Sequence, residues 1–354
     1  MRIDAFALER WFAEHEHGAD LMLAESGVRS LPASRFDTDP GELGYVIPTD
    51  GDPALRERVA DRYGRGADEV VFTCGTQEAN FLSFLALVGA GDHAVVVTPT
   101  YQALHAVPDA LGAVTRVTLE PPDWDLDPDA VAAAIRPETA VVVLNNPNNP
   151  TGRYHPRETV AAVADLAADA GAYLLCDEVY RLLADDPLDP VAAASHGIST
   201  TGLSKAWGLA GLRFGWLAGP PAVANAVRHW KDYTTISPPR IAQHVARQAL
   251  DREDEIIAEN RALVRENRAH VASFLDDHGL GWSDPVGVNA LIEVPGGFDG
   301  GEAFCRRVVR EESVVLAPGE CFDVPGYFRL GFGLETDALR EGLSRLDAFL
   351  ARHA

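Results

Sequence analysis

The sequence predicts an α/β fold: a large domain with a mainly parallel sheet flanked by helices, and a smaller α+β domain. Two observations carry this prediction. Short apolar strands alternate with helical segments from about residue 70 to about residue 203, and those strands have no polar face. Helices cover strands of that kind on both sides of a parallel sheet. The chain has 354 residues, 47% of them hydrophobic, which is enough for two domains with buried cores.

The predicted strands are runs of apolar residues, and the predicted helices repeat their apolar residues every three or four positions. Residues 4–18 and 54–63 are the first two helices. The strands that follow are 70–73, 93–98, 114–119, 141–145, 173–176 and 198–203. The helices that separate them are 77–88, 101–111, 128–135 and 159–170. We expect these strands and the helices between them to form the large domain.

The character of the chain changes after about residue 255. A long helical stretch over 240–278 leads into the last part of the chain. The elements predicted beyond it are strands 288–294, 313–316 and 327–331 and a closing amphipathic helix, 337–352. This mixture is typical of an α+β unit, onto which the N-terminal segment can fold back. We therefore place the large domain at residues 36–254 and the smaller domain at residues 1–35 and 255–354.

The composition excludes several classes of protein. A formal net charge of −23 would repel nucleic-acid phosphates and anionic membranes. No apolar run approaches the ~20 residues needed to span a bilayer, and the N-terminus has no signal-peptide core. The four cysteines form no CxxC pair, and Cys74 and Cys176 are predicted to be small buried side chains in a reducing compartment. We therefore predict a cytoplasmic protein that binds neither nucleic acid nor membrane.

Two motifs that suggest other ligands are excluded by their context. His15 and His17 are two residues apart and point to nearly opposite faces of a helix, so no metal site is expected. Residues 89–94 match a dinucleotide-binding GxGxxA pattern. That motif follows a strand and opens a helix, whereas here a predicted helix precedes it and a strand follows it. We interpret the segment as a turn between helix and strand.

Lysine is almost absent from the chain. Lys205 and Lys231 are the only two lysines, and arginine supplies nearly all of the positive charge. Lys205 lies between a serine and a run of small and apolar residues. A primary amine forms an imine with an aldehyde or ketone, and a guanidinium does not. A lysine kept at this position therefore indicates amine chemistry.

Four strand ends present polar residues where an α/β sheet usually binds ligands, beyond the carboxyl ends of its strands. The first is followed by a helix start whose free N–H groups and glycine suit a phosphate. An acid at the end of a buried strand needs a cationic partner to stay ionised. The four polar segments are Cys74-Gly75-Thr76-Gln77, the Asn-Pro-rich turn 145–152, Asp177 with Tyr180, and Ser204-Lys205 with Arg213.

The order and spacing of these motifs resemble the class I/II aminotransferases, which are pyridoxal-phosphate enzymes of fold type I. The resemblance extends over essentially the whole chain and rests on at least six separated motifs. It implies pyridoxal 5′-phosphate as the cofactor, and an α-amino acid and a 2-oxo acid as the substrates. The implied reaction is transfer of the amino group by a ping-pong mechanism.

The resemblance also implies roles for individual residues. Lys205 would hold the cofactor as a Schiff base and then transfer the α-proton of the substrate, and Asp177 would pair with the pyridinium nitrogen. Asn149 and Tyr180 would hydrogen-bond the phenolic oxygen of the ring, and Tyr101 would stack on the ring. The residues implied for the phosphate are Gly75, Thr76, Ser204 and Arg213, with Gln77 as a further cofactor contact.

Further residues would bind the substrate or complete the site. Arg329 lies within an apolar strand and would clamp the α-carboxylate of the substrate, because a planar two-donor fork suits a carboxylate. Gly27 and Asn149 are implied as further substrate contacts. Tyr45 matches a tyrosine that in relatives reaches the phosphate of the neighbouring subunit, which implies a homodimer.

One position departs from the family pattern. Gly202 stands where many members have a serine or threonine that binds the phosphate. Either Ser204 or Thr201 compensates, or the phosphate loses one hydrogen bond.

A second reaction is compatible with the same residues. Segments 26–28, 231–237 and 318–319 resemble parts of capreomycidine synthase, a relative that eliminates a hydroxyl and cyclises an arginine derivative. The alternative function is therefore that of a pyridoxal-phosphate-dependent lyase or cyclase. A cofactor-binding regulator or an inactive homologue is disfavoured, because the chain is acidic and has the complete lysine, aspartate, tyrosine and arginine set.

Overall fold

The computed structural model describes residues 2–353 of the chain. The strands of this part are β1 (Leu21–Met22), β2 (Val70–Thr73), β3 (His93–Thr98), β4 (Ala113–Thr118), β5 (Thr139–Asn145), β6 (Tyr173–Asp177), β7 (Gly197–Gly202), β8 (Gly215–Ala218), β9 (Asn289–Glu293), β10 (Val314–Val315), β11 (Ala317–Pro318) and β12 (Tyr327–Gly331). The helices are α1 (Ala7–His15), α2 (Pro53–Asp61), α3 (Thr76–Leu87), α4 (Ala103–Asp109), α5 (Pro128–Ala134), α6 (Arg157–Asp169), α7 (Pro221–Lys231), α8 (Arg240–Asp251), α9 (Glu253–His278), α10 (Gly300–Glu312) and α11 (Thr336–His353). None of these helices has the length and apolar character needed to cross a membrane.

Seven strands form one central sheet in the order β2-β8-β7-β6-β5-β3-β4. The pairs among β3 to β7 are parallel, and β8 runs antiparallel to both β7 and β2. The mainly parallel sheet that the sequence predicts is therefore confirmed. The sequence prediction lacks β8, whose short apolar run lies between Gly215 and Gly219, and it also lacks α7 and α10.

Apolar side chains cover both faces of the central sheet. Val96 of β3 belongs to one core, together with Leu82 of α3. Val95 and Val97 belong to another core on the opposite face, together with Val163 of α6. The absence of a polar face in the predicted strands thus has its physical reason, since helices pack on both sides.

The C-terminal part contains a separate antiparallel sheet in the order β11-β12-β9. The N-terminal segment folds back onto this part of the chain. Leu21 of β1 is paired with Val314 of β10 in a parallel ladder, and Trp11 Nε1 donates a hydrogen bond to the carbonyl of Leu316 at 2.8 Å. The division into residues 36–254 and the two flanking segments stays a prediction.

Two expectations from the sequence are wrong. The stretch 240–278 is two helices, because Arg252 leaves helical geometry at φ −115° and ψ 23°. Three acidic residues in the first turn of α9 then favour a new helix N-terminus there. Cys176 is buried as predicted, but Cys74 is only half-buried. It lies just beyond the end of β2, where its N–H donates to Glu78 Oε2 at 2.6 Å.

Candidate active site

The carboxyl ends of β5, β6 and β7 lie side by side in the central sheet. Asn145 is opposite Asp177, and Asp177 is opposite Thr200. Asn145 and Asp177 line a cavity of about 310 Å³. The sequence-predicted residues that line the same cavity are Thr76, Gln77, Tyr101, Asn149, Asp177, Tyr180, Ser204, Lys205 and Arg213. The topology thus brings residues from distant parts of the chain into one cleft.

Lys205 presents its amine to this cavity. Nζ donates to Ser26 Oγ at 3.0 Å and to Glu25 Oε1 at 3.2 Å. Burial lowers the pKa of Lys205, but the nearby Tyr180 and Glu25 outweigh burial, so the pKa is raised overall. The charge of Lys205 in turn lowers the pKa of Glu25. The amine is therefore held as a cation in an ion pair and must lose a proton before it can act as a nucleophile.

Asp177, the last residue of β6, is buried and oriented by two donors. Asn80 Nδ2 donates to Oδ2 at 2.8 Å, and the N–H of Val179 donates to Oδ1 at 3.2 Å. Thr200 Oγ1 donates to Asn80 Oδ1 at 2.6 Å and thereby fixes the amide of Asn80. Burial raises the pKa of Asp177 to about 6 despite these donors. A cationic ring N–H beside this carboxyl group would stabilise its ionised form and lower the pKa again.

The start of α3 forms a cradle for an anion. Gly75 precedes the helix with φ +81°, and a Cβ there would collide with the guanidinium of Arg213. Thr76 is nine-tenths buried, and its Oγ1 has no hydrogen-bond partner. Arg213 Nη1 donates to Ser204 Oγ at 3.3 Å, which holds the cation beside the helix start. Free N–H groups, an unpaired hydroxyl and an arginine are the donor set that a phosphate needs.

Gly202 departs from the family pattern for a steric reason. A Cβ at this position would lie 2.7 Å from Thr76 Oγ1 and 2.8 Å from the carbonyl of Phe214. A serine or threonine is therefore too large while Thr76 occupies its present position. Of the two compensating residues considered from the sequence, Ser204 lines the cavity, and Thr201 does not.

Arg329 of β12 is fully buried behind Asn149. Its Nη1 donates to Asn149 Oδ1 at 2.7 Å, and its Nη2 donates to the carbonyl of Ala24 at 2.6 Å. Nε has no hydrogen-bond partner among the described residues. Burial lowers the pKa of Arg329, although the nearby Tyr180 and Glu25 act in the opposite direction. An anionic ligand reaching Asn149 would supply the missing charge.

The remaining predicted residues lie as follows. Tyr101 donates from its hydroxyl to Glu9 Oε1 at 3.3 Å, and burial raises its pKa. Gly27 lies beside Lys205, since a Cβ there would be 3.7 Å from Lys205 Cδ. Tyr45 does not line the cavity within a single chain, and 64% of it is exposed.

The cavity also contains functional residues that the sequence prediction lacks. Asn80 orients Asp177, and the signal that could have found it is its position four residues after Thr76, on the same face of α3. Glu25 and Ser26 contact Lys205 from 180 and 179 positions away. No spacing rule connects segments that far apart.

Comparison with known proteins shows the family of this chain. The family model for aminotransferase class I and II matches residues 29–346. The aspartate aminotransferase of Thermotoga maritima is 31% identical, over 94% of this chain and 92% of its own length. Capreomycidine synthase of Streptomyces vinaceus is 31% identical, over 99% of this chain and 95% of its own length. The crystal structure of a PLP-dependent aminotransferase from Streptococcus suis superposes with a TM-score of 0.94 and 31% identity, covering 100% of this chain and 99% of that one.

The residues of the cavity also fit the cofactor of this family. An amine at Lys205, an acid at Asp177 and the unpaired hydroxyl of Thr76 beside Arg213 match, respectively, an aldehyde, a ring nitrogen and a phosphate. The chain therefore belongs to the class I and II aminotransferase family and is a pyridoxal 5′-phosphate-dependent enzyme.

Proposed function

We propose that the cleft around Lys205 transfers the amino group of an α-amino acid to a 2-oxo acid by a ping-pong mechanism. One observation carries this proposal: the amine of Lys205 opens into the same cavity as the buried carboxyl group of Asp177 and the unpaired hydroxyl of Thr76. An amine, an acid and an anion cradle in one cleft are what an amino-transferring pyridoxal site needs.

The proposed cofactor contacts follow from this geometry. When bound, pyridoxal 5′-phosphate supplies a carbonyl carbon that accepts the amino group and a ring that accepts electrons. Lys205 would hold the cofactor, and Asp177 would keep the ring nitrogen protonated. Tyr101 would stack on the ring, while Asn149 and Tyr180 would bond its phenolic oxygen. The proposed phosphate contacts are Gly75, Thr76, Gln77, Ser204 and Arg213.

Arg329 and Asn149 would orient the substrate. The guanidinium of Arg329 is bonded to Asn149, whose side chain lines the cavity, so a carboxylate arriving there would meet both groups. The backbone of Gly27 lies beside Lys205 and would complete this contact. The amine of Lys205, once released, would take the α-proton of the substrate and give it to the former carbonyl carbon of the cofactor.

The proposed reaction predicts a stoichiometric half-reaction. Holoenzyme mixed with a single reactive amino acid, and with no 2-oxo acid, should release one equivalent of the matching 2-oxo acid and then stop. Addition of a second 2-oxo acid should restart turnover, because it regenerates the starting form. Mass spectrometry of the products measures both steps. Ammonia or a cyclic product in place of the 2-oxo acid would contradict transamination.

A lyase or cyclase is the second candidate function. The similarity to capreomycidine synthase favours it. This chain is 31% identical to that enzyme and 31% identical to the aspartate aminotransferase. All these enzymes share the first steps at the lysine, so the product decides between them. The half-reaction above distinguishes the two candidates.

We also propose that the active form is a homodimer. Large apolar side chains are exposed on the loop 43–47 and on the segment 233–241. The most exposed are Leu43, Ile47 and Tyr233, at 79%, 75% and 76%. Exposed apolar clusters of this size on a folded chain usually mark an interface. Tyr45 lies in the middle of the loop and would reach the phosphate cradle of the partner chain.

Tyr45→Phe is expected to weaken cofactor binding by about tenfold to 100-fold, because one hydrogen bond to a charged group contributes about 1.5–3 kcal/mol. Equilibrium dialysis of pyridoxal 5′-phosphate measures the effect, and sedimentation should still find a dimer. Tyr233→Phe is the matched control, since Tyr233 is exposed in the same region. Equal cofactor affinity in wild type and Tyr45→Phe would contradict the proposed contact.

A cytoplasmic location and the two-domain division at residues 36–254 also remain proposals. All four cysteines are free thiols, which suits a reducing compartment. The sheets support the division, because all strands of the central sheet lie between residues 70 and 218, and the two smaller sheets contain only strands from residues 1–35 and 255–354.

A further inference from the structure

Three glutamates line the active-site cavity without a role in the proposed reaction. Six charged side chains line the cavity in the part of the chain that the structure describes: Glu9, Glu16, Glu25, Asp177, Lys205 and Arg213. The last three have proposed cofactor roles. The remaining charges are therefore all carboxylates, and we call Glu9, Glu16 and Glu25 the acidic wall.

Two members of the acidic wall come from one face of the N-terminal helix. Glu9 lies within α1, and Glu16 caps its C-terminal end. Residues seven positions apart lie on the same face of a helix, and Phe12 between them also lines the cavity. Glu25 approaches from the segment after β1 and contacts Lys205 at 3.2 Å. The wall therefore borders the cavity from segments that do not belong to the proposed phosphate cradle.

The charges of the acidic wall are poorly compensated. Glu9 accepts only the hydroxyl of Tyr101, at 3.3 Å. Glu16 lies 3.5 Å from the exposed imidazole of His17. Glu25 is paired with Lys205, whose amine is committed to the cofactor in the proposed reaction. With the cofactor in place, the lining Lys205 and Arg213 are committed to it, and Arg329, whose charge also lowers the pKa of Glu25, is committed to the α-carboxylate in the proposed reaction.

The cavity is a built ligand site independently of these carboxylates. Thr76 borders the cavity and is nine-tenths buried, and its hydroxyl has no hydrogen-bond partner among residues 2–353. The buried Arg329 reaches it through Asn149 and suits the α-carboxylate of a substrate. A substrate held at both points must extend its side chain past the rest of the lining, in which the only unassigned charges are those of the wall.

We propose, building on the proposed function, that the amino donor has a cationic side chain, an ammonium or a guanidinium, which the acidic wall receives. An anionic side chain would face three like charges, with no lining cation to oppose them. A neutral side chain would leave the carboxylates uncompensated. The preferred order is therefore cationic, then neutral, then anionic.

The charge preference can be measured without turnover. 6-Aminohexanoate carries a carboxylate and a terminal ammonium but no α-amine, so it cannot be transaminated. Hexanoate and adipate are its neutral and anionic counterparts. Calorimetric titration of the holoenzyme should find 6-aminohexanoate about five- to tenfold tighter than hexanoate, with adipate the weakest, given the strength of partly exposed ion pairs.

The kcat/KM of single variants tests the contributions of Glu9 and Glu16. Glu9→Gln and Glu16→Gln should each lower kcat/KM for lysine about threefold to fivefold and leave kcat/KM for norleucine unchanged. Glu57→Gln, at an exposed position of α2 outside the cavity, is the control and should change neither value. Glu25 is left unmutated here, because it also contacts Lys205.

The outcomes separate this inference from the function on which it rests. Tighter binding of adipate, or a higher kcat/KM for aspartate or glutamate than for lysine, overturns the cationic substrate and leaves transamination standing. If no amino acid yields a 2-oxo acid, the proposed function fails, and the order of the three unreactive analogues still decides the charge preference.

Discussion

Lys205→Ala is expected to abolish turnover and the visible absorbance of the lysine-bound cofactor. The side chain is assigned two tasks, the covalent hold on the cofactor and the proton transfer, so its loss should lower kcat by a factor of at least about 10⁴. Ser26, Glu25 and the other lining side chains carry no amine that could replace it. Absorbance spectra and product formation at saturating cofactor measure the two losses.

The chain offers a matched control for this variant, because Lys231 is the only other lysine. It is buried, and its Nζ donates to the carbonyl of Thr49 at 3.3 Å, outside the cavity. Lys231→Met should therefore keep both the absorbance and the rate within a few-fold of wild type. If instead the absorbance survives in Lys205→Ala and disappears in Lys231→Met, the assignment of the amine is wrong.

Much of the cleft could be predicted from the sequence because of one topological regularity. Parallel strands bring their carboxyl ends to the same edge, so polar residues that follow separate strands converge. Asp177 is the last residue of β6, and Lys205 follows β7. The two residues thus belong to different strands, yet both line the cavity. The strands could also be predicted from the sequence. Because helices cover both faces of the sheet, these strands consist of uninterrupted apolar residues.

The other contacts in the cleft depend on how distant segments of the chain pack together. The spacing of residues along the sequence does not show this packing. Asn80 reaches Asp177 because of the rotation of α3 against β6, a contact between positions 97 apart. Glu25 reaches Lys205 because the N-terminal segment folds back through the pairing of β1 with β10. Tyr45 needs a second chain before its proposed role can be fulfilled.

Gly202 illustrates a limit of reading a motif by family pattern. The pattern treats the missing hydroxyl as a lost phosphate ligand. The structure gives a reason for its absence, because a Cβ would crowd the hydroxyl of Thr76, a residue that itself lines the cavity. The position and its neighbour on α3 therefore have to be interpreted together.

Asp177→Asn is expected to keep the cofactor and lose most of the rate. Lys205 is untouched, so the visible absorbance should remain. A neutral amide cannot keep the ring nitrogen protonated, and removing one member of a buried charge pair costs about 3–5 kcal/mol, which corresponds to a rate loss of roughly 10²–10⁴. Glu178→Gln is the control: Glu178 is the next residue and also buried, but it accepts from the N–H of Val191 and does not line the cavity. A wild-type rate in Asp177→Asn would remove this residue from the reaction.

The stability of the cofactor-free protein, measured for wild type and for Asp177→Asn, gives a second test of Asp177. Burial raises the pKa of Asp177 from 3.8 to about 6 in the folded chain. A carboxyl group with a raised folded pKa stabilises the protein fully only below its unfolded pKa, and that stabilisation is lost as pH rises through about 6. The amide of the variant does not titrate, and Glu178 is present in both proteins, so most of its own titration cancels. The free energy of unfolding of wild type minus that of the variant should therefore fall by about 1 kcal/mol between pH 5 and pH 7.5. A difference that stays constant over this range would mean that burial does not raise the pKa of Asp177 into it.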